Sequence, residues 1–252
     1  MRKHLSAWRQ SKDIAHVAPF VVFMSFLMVL QVLDIVGFTN EESGTWYRRM
    51  PLQWVYPLQT VVTLFVLWWF RRHYEFRPVR GLGFAIMMAV VGIAIWIAPG
   101  WAFRHIDADW GVLRYIGFAP RRHGFDPTSI QAAGPVWLAT AIGFRFLRMV
   151  VAVALTEEIF WRGFLMRYLV DSDGDHWEVP FGTHRWFSFV VVTGAFVFVH
   201  QPVDFVGSAV YGALAYVVAV RTKSLTACVV MHAVANLLLG LYVMQTQQWG
   251  YW

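Results

Sequence analysis

The sequence predicts an all-α polytopic membrane protein, and three observations carry that expectation. Apolar residues fill 58% of the 252 positions and charged ones only 14%, well below the quarter usual in soluble domains. The apolar residues fall in runs of about twenty, the length at which a helix crosses ~30 Å of hydrocarbon. The arginines gather in short segments that flank those runs, as cytoplasmic loops hold them. The net charge of +6 is then a matter of membrane topology, and nucleic acid is not an expected partner. Trp46, Trp54, Trp68, Trp69, Trp101, Trp249 and Trp252 stand near segment ends and fit interfacial belts. Cys228 is the single cysteine, which excludes an intramolecular disulfide and a cysteine-rich metal site.

The elements follow in order. Arg2, Lys3, Arg9 and Lys12 precede a first span over residues 19–36. No small-residue cleavage site follows that span, so it is expected to stay as an anchor. A polar hairpin over 37–51 sets Glu41 and Glu42 against Arg48 and Arg49. The second span covers 52–70 and ends on aromatics, before a basic loop with Arg71, Arg72, Arg77 and Arg80. The third covers 82–98, and Pro99-Gly100 reads as its stop. Residues 101–134, with Asp107, Asp109, Arg121, Arg122 and Pro127, read as an interfacial connection with one short amphipathic helix.

From 135 to 170 the helical spacing is unbroken. At 1.5 Å per residue that is ~54 Å, so a tilted or kinked helix is expected, emerging near Arg167. An acidic, turn-rich loop spans 171–185. Three further spans cover 186–200, 203–220 and 225–244. Arg221 and Lys223 mark the last inter-span loop as cytoplasmic. From a cytoplasmic N-terminus, one crossing by 135–170 puts the basic loops 71–80 and 221–224 on the same inner side; two crossings would separate them. The expected count is seven transmembrane helices, or eight at most. Together they form one integral membrane domain, with 1–134 as N-terminal helices and connecting loop and 135–252 as the catalytic core.

Ionisable residues inside spans are functional candidates, and there are three sets. Glu157 and Glu158 are neighbours, so on an α-helix they point ~100° apart. Glu158 and Arg162 share a face at i, i+4 in the favourable order. Arg162 is therefore expected to neutralise Glu158, leaving Glu157 free to meet His200, His232 and Asn236. The alternative is an ion pair that ties two helices, with Glu157 reaching to the interface. His200 closes an otherwise apolar helix, either as a ligand or base or as a cap on the last carbonyls. His232 and Asn236 share a face at i, i+4, where a helix-packing hydrogen bond is the alternative. Cys228 lies on the same stripe as a small packing residue. A carboxylate with imidazoles can deprotonate water, with or without a metal. An amide or imidazole N–H can hold an oxyanion. That combination suits the attack of water on a peptide carbonyl.

Glu157-Glu158-x-x-x-Arg162, Phe196-x-x-x-His200 and His232-x-x-x-Asn236 resemble, in order, the three motifs of the CAAX protease and bacteriocin-processing (CPBP, or Abi) family of intramembrane endopeptidases. The resemblance covers about 135–244. Glu-Glu-Ile-Phe-Trp-Arg-Gly-Phe-Leu-Met-Arg-Tyr and the closing Gln-Trp-Gly-Tyr-Trp are further similar to the CAAX prenyl protease-related branch found with bacterial exosortase (PEP-CTERM) systems. The resemblance implies a peptidase in which Glu157 is the general base for water, assisted by His200. Glu158 would orient through Arg162, and His232 with Asn236 would hold the oxyanion. A second family reading makes Glu157, His200 and His232 ligands of a divalent metal such as Zn2+. The zinc signature His-Glu-x-x-His, the rhomboid Gly-x-Ser-x-Gly and the presenilin-type Gly-x-Gly-Asp are absent from the sequence. The implied partners are a membrane-associated peptide or protein substrate, the lipid bilayer and exosortase-system proteins. The implied location is a bacterial inner (cytoplasmic) membrane. A membrane scaffold or chaperone on the same fold is the alternative function, since fold does not fix function. A proton-coupled transporter is disfavoured, because no internal repeat and no paired broken spans occur.

Overall fold

The computed structural model describes residues 8–39, 45–121 and 124–252. Arg2, Lys3, Glu41, Glu42 and Arg122, named in the sequence reading, lie outside the described residues. Seven longer helices run in chain order: α1 Lys12–Ile35, α2 Leu52–Phe70, α3 Leu82–His105, α4 Pro135–Tyr168, α5 Trp186–Phe198, α6 Phe205–Thr222 and α7 Leu225–Thr246. Among the described residues no strand occurs. The protein is an all-α, multi-pass membrane protein.

Among the described residues five helices are long and apolar enough to cross a membrane: α1, α3, α4, α6 with the turn from Pro202 that leads into it, and α7. The expected count of about seven thus resolves into five such helices plus α2 and α5. Helix α2 forms over the expected residues, but Gln53, Gln59, Tyr56 and Pro57 dilute its apolarity. Helix α5 has 13 residues, about 20 Å of helix against ~30 Å of hydrocarbon.

Two boundaries depart from the sequence reading. Helix α1 begins at Lys12 instead of residue 19, because the Ser11 side chain accepts the Ile14 N–H at 3.3 Å and Asp13 favours the first turn. Pro19 is carried inside the helix. Helix α3 runs through Pro99-Gly100 to His105, so that pair is not a stop. Gly100 serves a close approach instead: a Cβ there would collide with the Tyr251 hydroxyl, which donates to the Ile97 carbonyl at 3.3 Å. The connection after α3 holds two 3-10 segments, Gly111–Ile116 and Pro127–Ala133, in place of one amphipathic helix.

The described residues divide into two compact units, one within Met1–Tyr74 and Phe125–Glu157, the other within Glu75–Gly124 and Glu158–Trp252. In the first, α1 packs on α2. Gln59, fully buried, donates to the Phe23 carbonyl at 2.7 Å and accepts Arg148 Nε at 2.7 Å. The Arg148 guanidinium stacks 4.1 Å from the Tyr56 ring and Arg145 4.8 Å from the same ring. Aromatic faces and one amide thus satisfy cations that the apolar surroundings would otherwise exclude. Tyr74, outside the spans, donates to the Ala15 carbonyl at 2.9 Å, and burial pushes its phenol upward.

In the second unit α3, α6 and α7 form the centre. Gly81 meets Thr222, Gly92 meets Tyr211 and Gly207 meets Trp96, so α6 runs antiparallel to α3. Helix α7 runs parallel to α3. At the start of α7, Ser224 donates to Pro78 O at 2.6 Å and Thr226 bonds Phe76 O. At the far end Arg104 donates to the Tyr242 hydroxyl at 3.0 Å. Small residues allow the tight crossing, since a Cβ on Gly207 would lie 2.8 Å from the Trp96 ring. Helix α5 lies antiparallel to α6, with Phe196 against Gly212 and Arg185 beside the Tyr216 hydroxyl. These contacts bring the basic stretches around 77–80 and 221–223 to one end of the unit.

Candidate active site

Helix α4 carries the Glu pair on a short α-helical stretch, Ala154–Glu158, between π-helical stretches Leu147–Val153 and Ile159–Leu165. Wider π turns expose backbone and re-aim side chains, and they recur at functional sites. The boundary between the two units falls between Glu157 and Glu158.

In the second unit Glu158 is fully buried, and so is Arg162. Arg162 donates to Glu158 Oε1 at 3.0 Å, the pairing that the i, i+4 spacing predicts. Its other terminal nitrogen donates to the Gly212 carbonyl at 3.2 Å, and the guanidinium lies 5.3 Å from the centre of the Phe196 ring. A second group meets the same carboxylate: His232 Nδ1 lies 2.8 Å from Glu158 Oε1. The sequence analysis expected Arg162 alone as the partner of Glu158 and set His232 beside Glu157. Within this unit the acid that meets His232 is Glu158.

The contact orders the protons. Facing a carboxylate oxygen, Nδ1 of His232 must carry the hydrogen, so in neutral imidazole Nε2 keeps the lone pair. When His232 is protonated, Nε2 becomes a donor as well. The Tyr211 ring stands edge-on to His232 at 5.5 Å and restricts its tilt. His232 is the eighth residue of α7, about 10 Å inside the helix start. Asn236, half-buried, follows one turn deeper on the same helix. Cys228 is fully buried, one turn before His232, as a small packing residue would be.

His200 lies just past the end of α5, which stops at Phe198 instead of continuing to 200. Its Nδ1 donates to the Phe196 carbonyl at 2.7 Å. The capping role expected of a helix-end histidine is therefore real, and it also fixes the tautomer, leaving Nε2 with its lone pair. The Phe196 ring at 4.6 Å and the Trp96 ring at 5.3 Å hold the imidazole. Trp96 is itself tied down: its indole N–H donates to Asp204 Oδ1 at 3.0 Å, and the same oxygen pairs with Arg121 at 2.6 Å. Arg121 lies 3.6 Å from the Tyr251 ring centre.

The sequence reading missed this support. Trp96 sits in an apolar run and gives no signal of its own, whereas the charged Asp204 immediately before α6 does. Tyr211 and Gly212, from the span between the motifs, carried none.

Glu157 belongs to the first unit. It is buried, and its Oε2 accepts no hydrogen bond from the described residues. Within that unit the Arg148 guanidinium is in electrostatic range of the carboxylate, so Glu157 is not as isolated as its neighbours in sequence suggested. Among the described residues no three His, Cys, Asp or Glu side chains gather as metal ligands. The Nδ1 atoms of both imidazoles are engaged, which leaves each Nε2 lone pair to act as base or ligand.

Residues 139–238 match the family model for type II CAAX prenyl endopeptidase Rce1-like proteins, in line with the CPBP resemblance. The match takes in Glu157, Glu158, Arg162, His200, His232 and Asn236. No curated protein and no solved structure matches the chain.

Proposed function

From the match of residues 139–238 to the Rce1-like family, we propose that this chain is an intramembrane endopeptidase that hydrolyses a peptide bond of a membrane-associated substrate. The observation that carries the proposal is the buried Arg162–Glu158–His232 group, in which one carboxylate oxygen takes two donors. A buried charge network is costly to keep unless it does something, and this one sets the orientation and tautomer of an imidazole.

Each residue then has a role. Glu157 takes a proton from water as the water oxygen attacks the carbonyl carbon, with His200 assisting through Nε2. The carbonyl electrons move onto oxygen, and the tetrahedral oxyanion is held by the Asn236 amide and by His232 in its protonated form. Collapse of that intermediate expels the amine, which takes the proton from Glu157. Glu158 and Arg162 are positioning residues for His232. This follows the general logic of positioned acid–base groups and oxyanion donors. No step runs through a metal.

The substrate class is a sorting-signal peptide, membrane stub or small precursor of an exosortase-type system, and the location is a bacterial inner membrane with the N-terminus in the cytoplasm. Clustering of the 77–80 and 221–223 basics at one end supports that orientation, since basic loops stay inside.

The test is hydrolysis by the full chain in proteoliposomes, on a library of membrane-anchored peptides in 18O-labelled water, with and without chelator. The expected product carries one labelled oxygen at its new C-terminus, and chelator leaves the rate unchanged. Loss of cleavage on chelation, restored by one equivalent of zinc, would replace the glutamate-base mechanism by a metal one. Binding of precursors without cleavage of any would support a scaffold instead.

A further inference from the structure

A second feature of the Glu75–Gly124 and Glu158–Trp252 unit has no part in that chemistry. A cavity of about 470 Å³ opens at the end where α3 and α7 begin. Four cationic side chains line it, Arg77, Arg80, Arg167 and Lys223, against the carboxylates Glu75 and Glu178.

The cations are poorly neutralised. Lys223 donates to the Gly182 carbonyl at 2.6 Å and Arg80 to the Thr222 carbonyl at 2.5 Å. Both acceptors are neutral, so the bonds fix the side chains and leave their charge. Arg167 is 8% exposed and forms a long ion pair with Glu75 at 3.7 Å. The guanidinium also lies 5.7 Å from the Trp177 ring centre and 5.5 Å from that of Phe181. Arg77 is exposed and forms no ion pair among the described residues. A cavity lined by four cations against two carboxylates suits an anion with several acceptor oxygens.

Position narrows the anion. The cavity lies where the spans α3 and α7 start and α4 ends, which is the headgroup layer of the bilayer. Trp177 forms one wall, as indoles do at that depth. Val79, in the same loop, is 59% exposed and offers an apolar strip along which an acyl chain can leave. Basic pockets between spans at a cytoplasmic surface take anionic headgroups. We propose that this cavity binds the phosphate of an anionic membrane lipid.

The test uses the full-length protein in neutral detergent. Short-chain phosphatidylglycerol, phosphatidylcholine with the same chains, inorganic phosphate, or a short peptide with a free C-terminal carboxylate is added. Retained ligand is counted by native mass spectrometry. Phosphatidylglycerol is expected to be retained over phosphatidylcholine, with retention falling about fivefold for Arg77→Gln and about fivefold again when Lys223→Gln is added. Thermal midpoints report whether the variants fold. Arg77 is exposed, so Arg77→Gln decides alone if the double variant does not fold. Equal retention of the two lipids overturns the proposal, as does unchanged retention in Arg77→Gln. Capture of inorganic phosphate or of the peptide without preference for phosphatidylglycerol overturns it too.

Discussion

His232 Nδ1 lies 2.8 Å from Glu158 Oε1, the same oxygen that accepts from Arg162 at 3.0 Å. One carboxylate oxygen therefore joins the chain just after Glu157 to α7, across 74 residues of sequence. Glu158 is fully buried, so the three groups depend on one another for charge and hydrogen bonding.

Arg162→Gln should destabilise the protein by about 3 kcal/mol, because removing one partner of a buried pair strands the other's charge. Denaturant or thermal unfolding in detergent checks this. An unchanged midpoint would show that Glu158 finds other compensation.

His232→Phe keeps a ring against Tyr211 but removes both nitrogens. Loss of an oxyanion donor costs on the order of a hundredfold to a thousandfold in kcat, and that loss is expected here with KM little changed. A fall in affinity with kcat intact would assign His232 to substrate binding.

How far such assignments could be read from sequence depends on the distance between partners. Glu158 and Arg162 were legible, because residues four apart on a helix meet whatever surrounds them. The His232 partner was not, since adjacent glutamates offer two faces and only tertiary packing selects one. The flanking π-helical stretches add to the difficulty, as the wider turn moves faces out of the 3.6-residue phase. The spans themselves were legible from apolar runs. Pro99-Gly100 misled because the glycine answers a contact with Tyr251, more than 150 residues away by the Tyr251–Ile97 bond, which no local pattern records.

Trp96→Phe tests the support of His200. The ring stays, while the hydrogen bond to Asp204 is lost. A hydrogen bond to a charged group is worth about 1.5 kcal/mol or more, so a roughly tenfold fall in kcat is expected. Because Trp96 acts through His200, Trp96→Phe in a His200→Ala background should add little further loss. Independent, multiplying losses would show that Trp96 acts elsewhere.

Gly207→Val should push α6 away from α3, since even one added carbon would stand 2.8 Å from the Trp96 ring. Overpacking of this kind costs about 1–3 kcal/mol. A lowered thermal midpoint is expected, and an unchanged one would mean that the Trp96 side chain yields freely.

The central claim is that Glu157 and Glu158, adjacent in sequence, divide into a catalytic base and a support. The most direct measurement is turnover by purified Glu157→Gln protein whose thermal midpoint matches that of the unsubstituted chain. The expected result is a folded protein without detectable cleavage. A folded Glu157→Gln protein that cleaves at the original rate would contradict the account.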